Sequence, residues 1–171
     1  SNLETVDFKN IDHIVFAGMG GSGAIGDLFA SILSETKIHV SLVKGYLLPS
    51  TVDENTLVVT ISVSGNTIET LTVLATAKDL NCNIIAFSSG GKMEEYCIKN
   101  KINFKKIDLI HSPRTSFVKF SLSIMNVLNS ILLIEKNHMS EIINELTKLR
   151  NNICSQNLSD SNSALSLANF I

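Results

Sequence analysis

Gly18, Gly20 and Gly23 stand at G-x-G-x-x-G spacing within "FAGMGGSGAIGDL", between an apolar run and an apolar pattern of helical period. Glycines let backbone approach a ligand closely, and a helix N-terminus just beyond them offers unpaired N–H groups to an anion. A second stretch, "ISVSGNTIET", is again a strand end running into a helix. It supplies the hydroxyls of Ser62, Ser64 and Thr67, each able to donate to a phosphate oxygen. One cation, Arg114, follows directly after Pro113 and is suited to stabilising developing negative charge.

The glycine loop alone admits three readings. A dinucleotide site wants an acidic residue at the end of the second strand to hold the ribose hydroxyls. That position reads "SLVKGY", with Lys44 in place of a carboxylate, which leaves an NADP 2′-phosphate as an alternative. A purely structural tight turn is the second reading. The third is a phosphate-monoester site, favoured by the serine/threonine loop. Nearby polar residues have plainer roles: Asn66 and Glu69 fit a capping box as Ncap and N3, and Ser64 or Thr67 alone would also suit a helix cap. Asp27 reads as a solvated helix face, and Arg114 has a surface salt bridge as its plain alternative.

Positioning these loops requires alternating strands and helices. Strands are expected at His13–Ala17, Ile38–Val43, Thr56–Ser62, Asn83–Ser88 and Ile102–Asp108, the last more polar and near a sheet edge. Helices follow in "AIGDLFASIL", "TIETLTVLATAKDL" and "SGGKMEEYCIKN". This is an α/β chain: a three-layer αβα sandwich around a five-stranded parallel sheet in flavodoxin-like order 2-1-3-4-5. In that order the first and third strands are neighbours, so both loops flank the crevice where strand order reverses. After Arg114, "TSFVKFSLSIMNVLNSILLIEK" reads as one long apolar helix, and "SEIINELTKLRNNIC" as an amphipathic helix opened by Ser140.

The chain has 171 residues, 44% of them apolar and 18% charged, with a net charge of −2. That balance carries no electrostatic footprint for nucleic acid or an anionic membrane. No apolar run reaches the roughly 18 residues of a spanning helix, and "SNLETVDFKN" lacks the layout of an export signal. A cytoplasmic protein is expected. Cys82, Cys97 and Cys154 form no metal-binding pattern and read as free thiols. His13 and His39 fall on strands and read as structural; His111, close to Arg114, is the histidine to watch.

Taken in order and spacing, "FAGMGGSGAIGDL", "KGYLLPSTVDENTLVVTISVSGNTIETL", "IIAFSSGGKM" and "SPRTSF" resemble the sugar isomerase (SIS) domain. More narrowly, they resemble the first subdomain of the bifunctional phosphoglucose/phosphomannose isomerases of archaea and some bacteria. The resemblance implies that Gly21 and Ser22 hold substrate from the first loop. It implies that Ser62, Ser64 and Thr67 bind its phosphate and that Arg114 lies against the reacting carbons. Val63 departs from the pattern, because related enzymes commonly carry a tyrosine between the two serines.

The expected activity is interconversion of glucose 6-phosphate or mannose 6-phosphate with fructose 6-phosphate through an enediolate, with neither metal nor cofactor. Residues 1–135 would form the SIS domain, and 136–171 the helices leading to a second subdomain. The implied glutamate base, histidine and lysine match no position up to Ile171, so this chain alone is expected to bind substrate without turnover. A homodimer is expected, with the long apolar helix as the candidate shared surface. The alternative from another class is a non-catalytic phosphosugar-binding module.

Overall fold

In the computed structural model, residues 10–109, 112, 114–132 and 136–170 are described. Five strands, β1 (His13–Ala17), β2 (His39–Val43), β3 (Thr56–Ser62), β4 (Asn83–Ser88) and β5 (Asn103–Lys106), form one sheet in the order β2-β1-β3-β4-β5. Every neighbouring pair is parallel, with Ala17 opposite both Val43 and Thr60 at the ends that matter below. The expected fold class and strand order are those observed. β2 begins one residue later than expected, and β5 is shorter at both ends. Both are edge strands, where only one neighbour holds the ladder.

Strand alternation explains the layers. Val15, Ala17, Val43, Val58, Ile84 and Ala86 point to one face and pack with Val73, Leu74 and Ala77 of α2 (Ile68–Asp79) and Met93 and Cys97 of α3 (Gly91–Asn100). The intervening residues Ile14, Phe16, Leu57, Val59, Ile61 and Phe87 are also buried and point to the opposite face. There Phe16 stacks on Phe29 of α1 (Gly21–Leu33) with ring centroids 5.4 Å apart. α1 in turn contacts α4 (Phe117–Val127). Burying each of the Val, Leu, Ile, Phe and Met side chains among these contributes about 1.5–3 kcal/mol, so both faces hold the strand ends firmly.

The long apolar helix is not continuous. A single 3₁₀ turn covers Arg114–Ser116, α4 runs to Val127, and α5 (Asn129–Leu132) restarts after Leu128. The Leu128 carbonyl accepts both Ile131 N–H and Leu132 N–H, which is the start of a new helical turn. Asn129 and Ser130 favour caps and turns over helix interiors, a local preference that the apolar periodicity conceals.

The chain divides into two compact units, residues 1–132 and 133–171. The second holds α6 (Lys136–Ile153) and α7 (Ser163–Phe170). Ser140 lies inside α6 rather than opening it, since no Gly or Pro between Lys136 and Ser140 halts the helix. Asn162 opens α7: its Oδ1 accepts the N–H groups of Ala164 and Leu165, while its Nδ2 donates to the carbonyls of Cys154 and Asn157. Among the described residues no helix is long and apolar enough to cross a membrane.

Candidate functional site

The carboxyl ends of β1 and β3 lie side by side, and each feeds a loop that turns into a helix. After β1, Gly18 N–H donates to Val43 O at 3.1 Å, pinning the loop to the end of β2. Gly18 leaves no room for a side chain, because a Cβ there would sit 2.9 Å from the Ser22 backbone carbon and 3.0 Å from Ile61 O. Gly20 takes φ +55° to enter α1.

Gly23, the last glycine of the motif, is small for a packing reason. A Cβ would lie 2.9 Å from Gly18 O and 3.2 Å from Cε of Lys44. The Lys44 ammonium reaches past it to Asp27, at 2.8 and 2.7 Å from the two carboxylate oxygens. Asp27 is therefore an exposed ion-pair partner of Lys44.

The β3–α2 loop is a chain of hydroxyls. Ser62 Oγ accepts the Gly65 N–H at 3.1 Å and lies 2.9 Å from Thr67 Oγ1. Ser64 Oγ accepts the Asn66 N–H at 3.2 Å, so its own proton is free to turn to a ligand. Thr67, rather than Asn66, is the residue that caps α2, and no side chain bonds back to the helix. The expected Asn66–Glu69 capping box does not form, because the Asn66 side chain is committed elsewhere. Its Oδ1 accepts the Lys92 N–H at 3.1 Å and its Nδ2 donates to Ser64 O at 3.2 Å. Glu69 still sits in the first turn, where the helix dipole favours a carboxylate.

Arg114 opens the 3₁₀ turn before α4. The Ser112 carbonyl accepts from Thr115 Oγ1 at 2.9 Å and from Ser116 Oγ at 3.0 Å, which fixes that turn.

These elements enclose a crevice of about 500 Å³. Gly21, Ser22, Ser64, Thr67 and Arg114 supply its polar side, and Met19, Ile25, Val63 and Phe117 its apolar side. Sequence reasoning singled out the polar group and passed over Met19, Ile25 and Phe117, whose only signal was their position within the glycine loop, the first helix and "SPRTSF". Ser62 is not among the lining residues; it is buried beneath Thr67. None of the described lining residues is a carboxylate or a histidine. His13 and His39 stand at the amino ends of β1 and β2, away from the crevice, and His111 and Pro113 lie outside the described residues. Cys82, Cys97 and Cys154 are free. The described residues contain no cluster of three or more metal-binding side chains.

The SIS domain family model matches residues 7–128. The chain belongs to the SIS domain family. A bifunctional phosphoglucose/phosphomannose isomerase of Caldicellulosiruptor bescii is 34% identical over 148 residues, which cover 85% of this chain and 44% of that protein. The chain thus spans less than half the length of that relative. A D-glucosamine-6-phosphate 4-epimerase of Sulfolobus acidocaldarius is 33% identical over 111 residues, covering 64% of this chain and 34% of its own length. In fold, glucosamine-6-phosphate deaminase of Thermotoga maritima superposes with a TM-score of 0.67 at 19% identity, over 86% of this chain and 48% of that one. The two sequence relatives carry differently named activities, and each name contains a sugar phosphate.

Proposed function

We propose that the crevice binds a hexose 6-phosphate and that the protein serves the interconversion of glucose 6-phosphate or mannose 6-phosphate with fructose 6-phosphate. The observation that carries this reading is the convergence of Ser22, Ser64, Thr67 and Arg114 on one crevice of about 500 Å³. That size lies within the roughly 300–1,000 Å³ of small-molecule sites. Ser64 and Thr67 take the phosphate at the N-terminus of α2, where hydroxyls and helix dipole both favour an anion. Ser22 and Gly21 hold the sugar from the opposite loop. Arg114 faces the carbonyl end and stabilises the oxyanion as the enediolate forms.

Isomerisation requires a base to move one proton between C1 and C2. The substrate's own carbonyl acidifies that proton, but a base must still accept it and return it to the neighbouring carbon. The residues above bind the sugar phosphate and stabilise charge, and none of them supplies that base. Positioned proton transfer typically contributes about 10²–10⁴-fold. With no acid–base group among the described lining residues, the chain alone is expected to bind hexose phosphates without turning them over. The same inventory suits a non-catalytic phosphosugar-binding module. A homodimer in which α4 contributes to the shared surface forms part of the proposal.

Calorimetry with fructose 6-phosphate, paired with a coupled assay for glucose 6-phosphate, tests it. Binding with turnover below about 1 s⁻¹, the low end for ordinary enzymes, is expected. Turnover above that places the base within this chain, and failure to bind either hexose phosphate overturns the reading.

A further inference from the structure

An anion-binding loop has to present donors and keep its carbonyl oxygens occupied, since a carbonyl facing a phosphate repels it. In the β3–α2 loop the occupying groups come from Asn66 and from the turn that joins β4 to α3. Val63 O accepts both Ser89 Oγ, at 2.6 Å, and Ser89 N–H, at 3.1 Å. Gly65 O accepts the Met93 N–H at 2.9 Å. Ser64 O accepts from Asn66 Nδ2, whose partner oxygen is itself held by the Lys92 N–H. Thus the consecutive carbonyls of Val63, Ser64 and Gly65 are all engaged, and neither Ser89 nor Asn66 lines the crevice.

The two loops also interlock sterically. A Cβ on Gly65 would run into Gly90 O, and a Cβ on Gly91 would lie 2.7 Å from Ser64 O and 2.8 Å from Asn66 Oδ1. Ser88 Oγ donates to Gly90 O at 2.7 Å and accepts the Gly90 N–H at 3.0 Å, fixing the turn that presses on the loop. "SSGGKM" is therefore more than a helix entry.

We propose that Ser89 and Asn66 are positioning residues for the substrate's phosphate: they hold the carbonyls of residues 63 and 64 away from the ligand so that Ser64 and Thr67 present only donors to it. This rests on the hexose-phosphate reading of the crevice. Without Ser89 Oγ, Val63 O retains one partner and the loop gains freedom to turn an acceptor toward the anion. Affinity for any phosphate then falls, although no group touching it has been removed.

The experiment measures binding of fructose 6-phosphate and of inorganic phosphate to the full chain by calorimetry, well below the melting temperature. Ser89→Ala and Asn66→Ala are each expected to weaken both ligands by a similar factor, about 5- to 20-fold, as expected for loss of one or two hydrogen bonds that hold the loop. Ser89→Thr, which keeps the hydroxyl, should restore affinity to within about 3-fold. A merely structural role lowers the melting temperature without changing affinity in the folded protein, and that outcome overturns the proposal. Should Ser89→Ala fail to fold, Asn66→Ala and Ser89→Thr still decide it, since unchanged affinity in Asn66→Ala contradicts the proposal. Ser64→Ala separates the two claims. If it weakens binding while Ser89→Ala and Asn66→Ala do not, the positioning role alone is wrong. If the native chain binds neither ligand, or Ser64→Ala changes nothing, the site reading fails and the positioning role falls with it.

Discussion

Ser62 Oγ and Thr67 Oγ1 lie 2.9 Å apart, and Ser62 Oγ also accepts the Gly65 N–H. An anion in the crevice draws the Thr67 proton outward, which leaves Ser62 as the donor to Thr67. Ser62 is buried and does not line the crevice, so under the proposed hexose-phosphate reading it would act on a ligand through Thr67. Thr67→Val should weaken fructose 6-phosphate binding by about 10-fold or more, and Ser62→Ala by about 3- to 10-fold. The double variant should be no more than about 2-fold weaker than Thr67→Val alone, because residues in one hydrogen-bond chain do not act additively. Fully additive losses in a calorimetric double-mutant cycle would mean that Ser62 contacts the ligand independently.

The glycines of the site divide by what surrounds them. Gly65 has φ +69°, and a Cβ there would strike the Gly90 carbonyl, so Gly65→Ala should cost about 2 kcal/mol or more in chemical denaturation. Gly21 has nothing within 4 Å of its Cβ position and begins α1. Gly21→Ala should change stability by less than about 1 kcal/mol while weakening hexose-phosphate binding, since the new methyl group enters the crevice. A destabilised Gly21→Ala with unchanged affinity would contradict its placement on the crevice wall.

How legible this was follows from the residues themselves. The alternation of apolar runs revealed the five strands, and the strand-loop-helix punctuation located both loops that flank the crevice, because period and glycine spacing are local properties. The role of Ser62 was less visible, since burial beneath Thr67 depends on how the loop folds back on itself. The capping box failed for a non-local reason: Lys92, 26 residues further along, takes the Asn66 oxygen. The break at Leu128 stayed hidden because apolar periodicity continues through Asn129 and Ser130, and only the backbone bonds reveal the restart. Lys44 illustrates a charge whose partner no spacing rule indicates, since Asp27 lies on another element.

Stability should fall with acid through His13. Burial, with His39 beside it, holds the His13 pKa below the ordinary 6.5, despite the opposing influence of a backbone bond near Thr51 and of Asp12 and Asp53. Its Nε2 lies 2.9 Å from Ser41 Oγ and its ring centroid 4.6 Å from that of His39. A depressed folded-state pKa means that the unfolded chain binds the proton first. The contribution to stability is thus complete above pH 6.5 and is lost as pH drops through the lower folded value. Thermal melts from pH 7.5 down to about 5 should show His39→Gln losing less stability than the native chain. Parallel curves would remove His39 as a cause.

Cys97 is fully buried, and burial pushes its thiol up to about 11. Because the thiolate is the reactive form, Cys97 should resist iodoacetamide in the native state and react only on unfolding. Peptide mapping after brief alkylation checks this; modification of Cys97 at the rate of a free thiol would contradict its place in the α3 core.

The most direct test of the hexose-phosphate site is a crystal of the chain grown with fructose 6-phosphate. Phosphate oxygens are expected within hydrogen-bonding distance of Ser64 Oγ and Thr67 Oγ1, with the sugar extending past Ser22 toward Arg114. Ligand bound elsewhere on the sheet, or an empty crevice at saturating ligand, would contradict that placement.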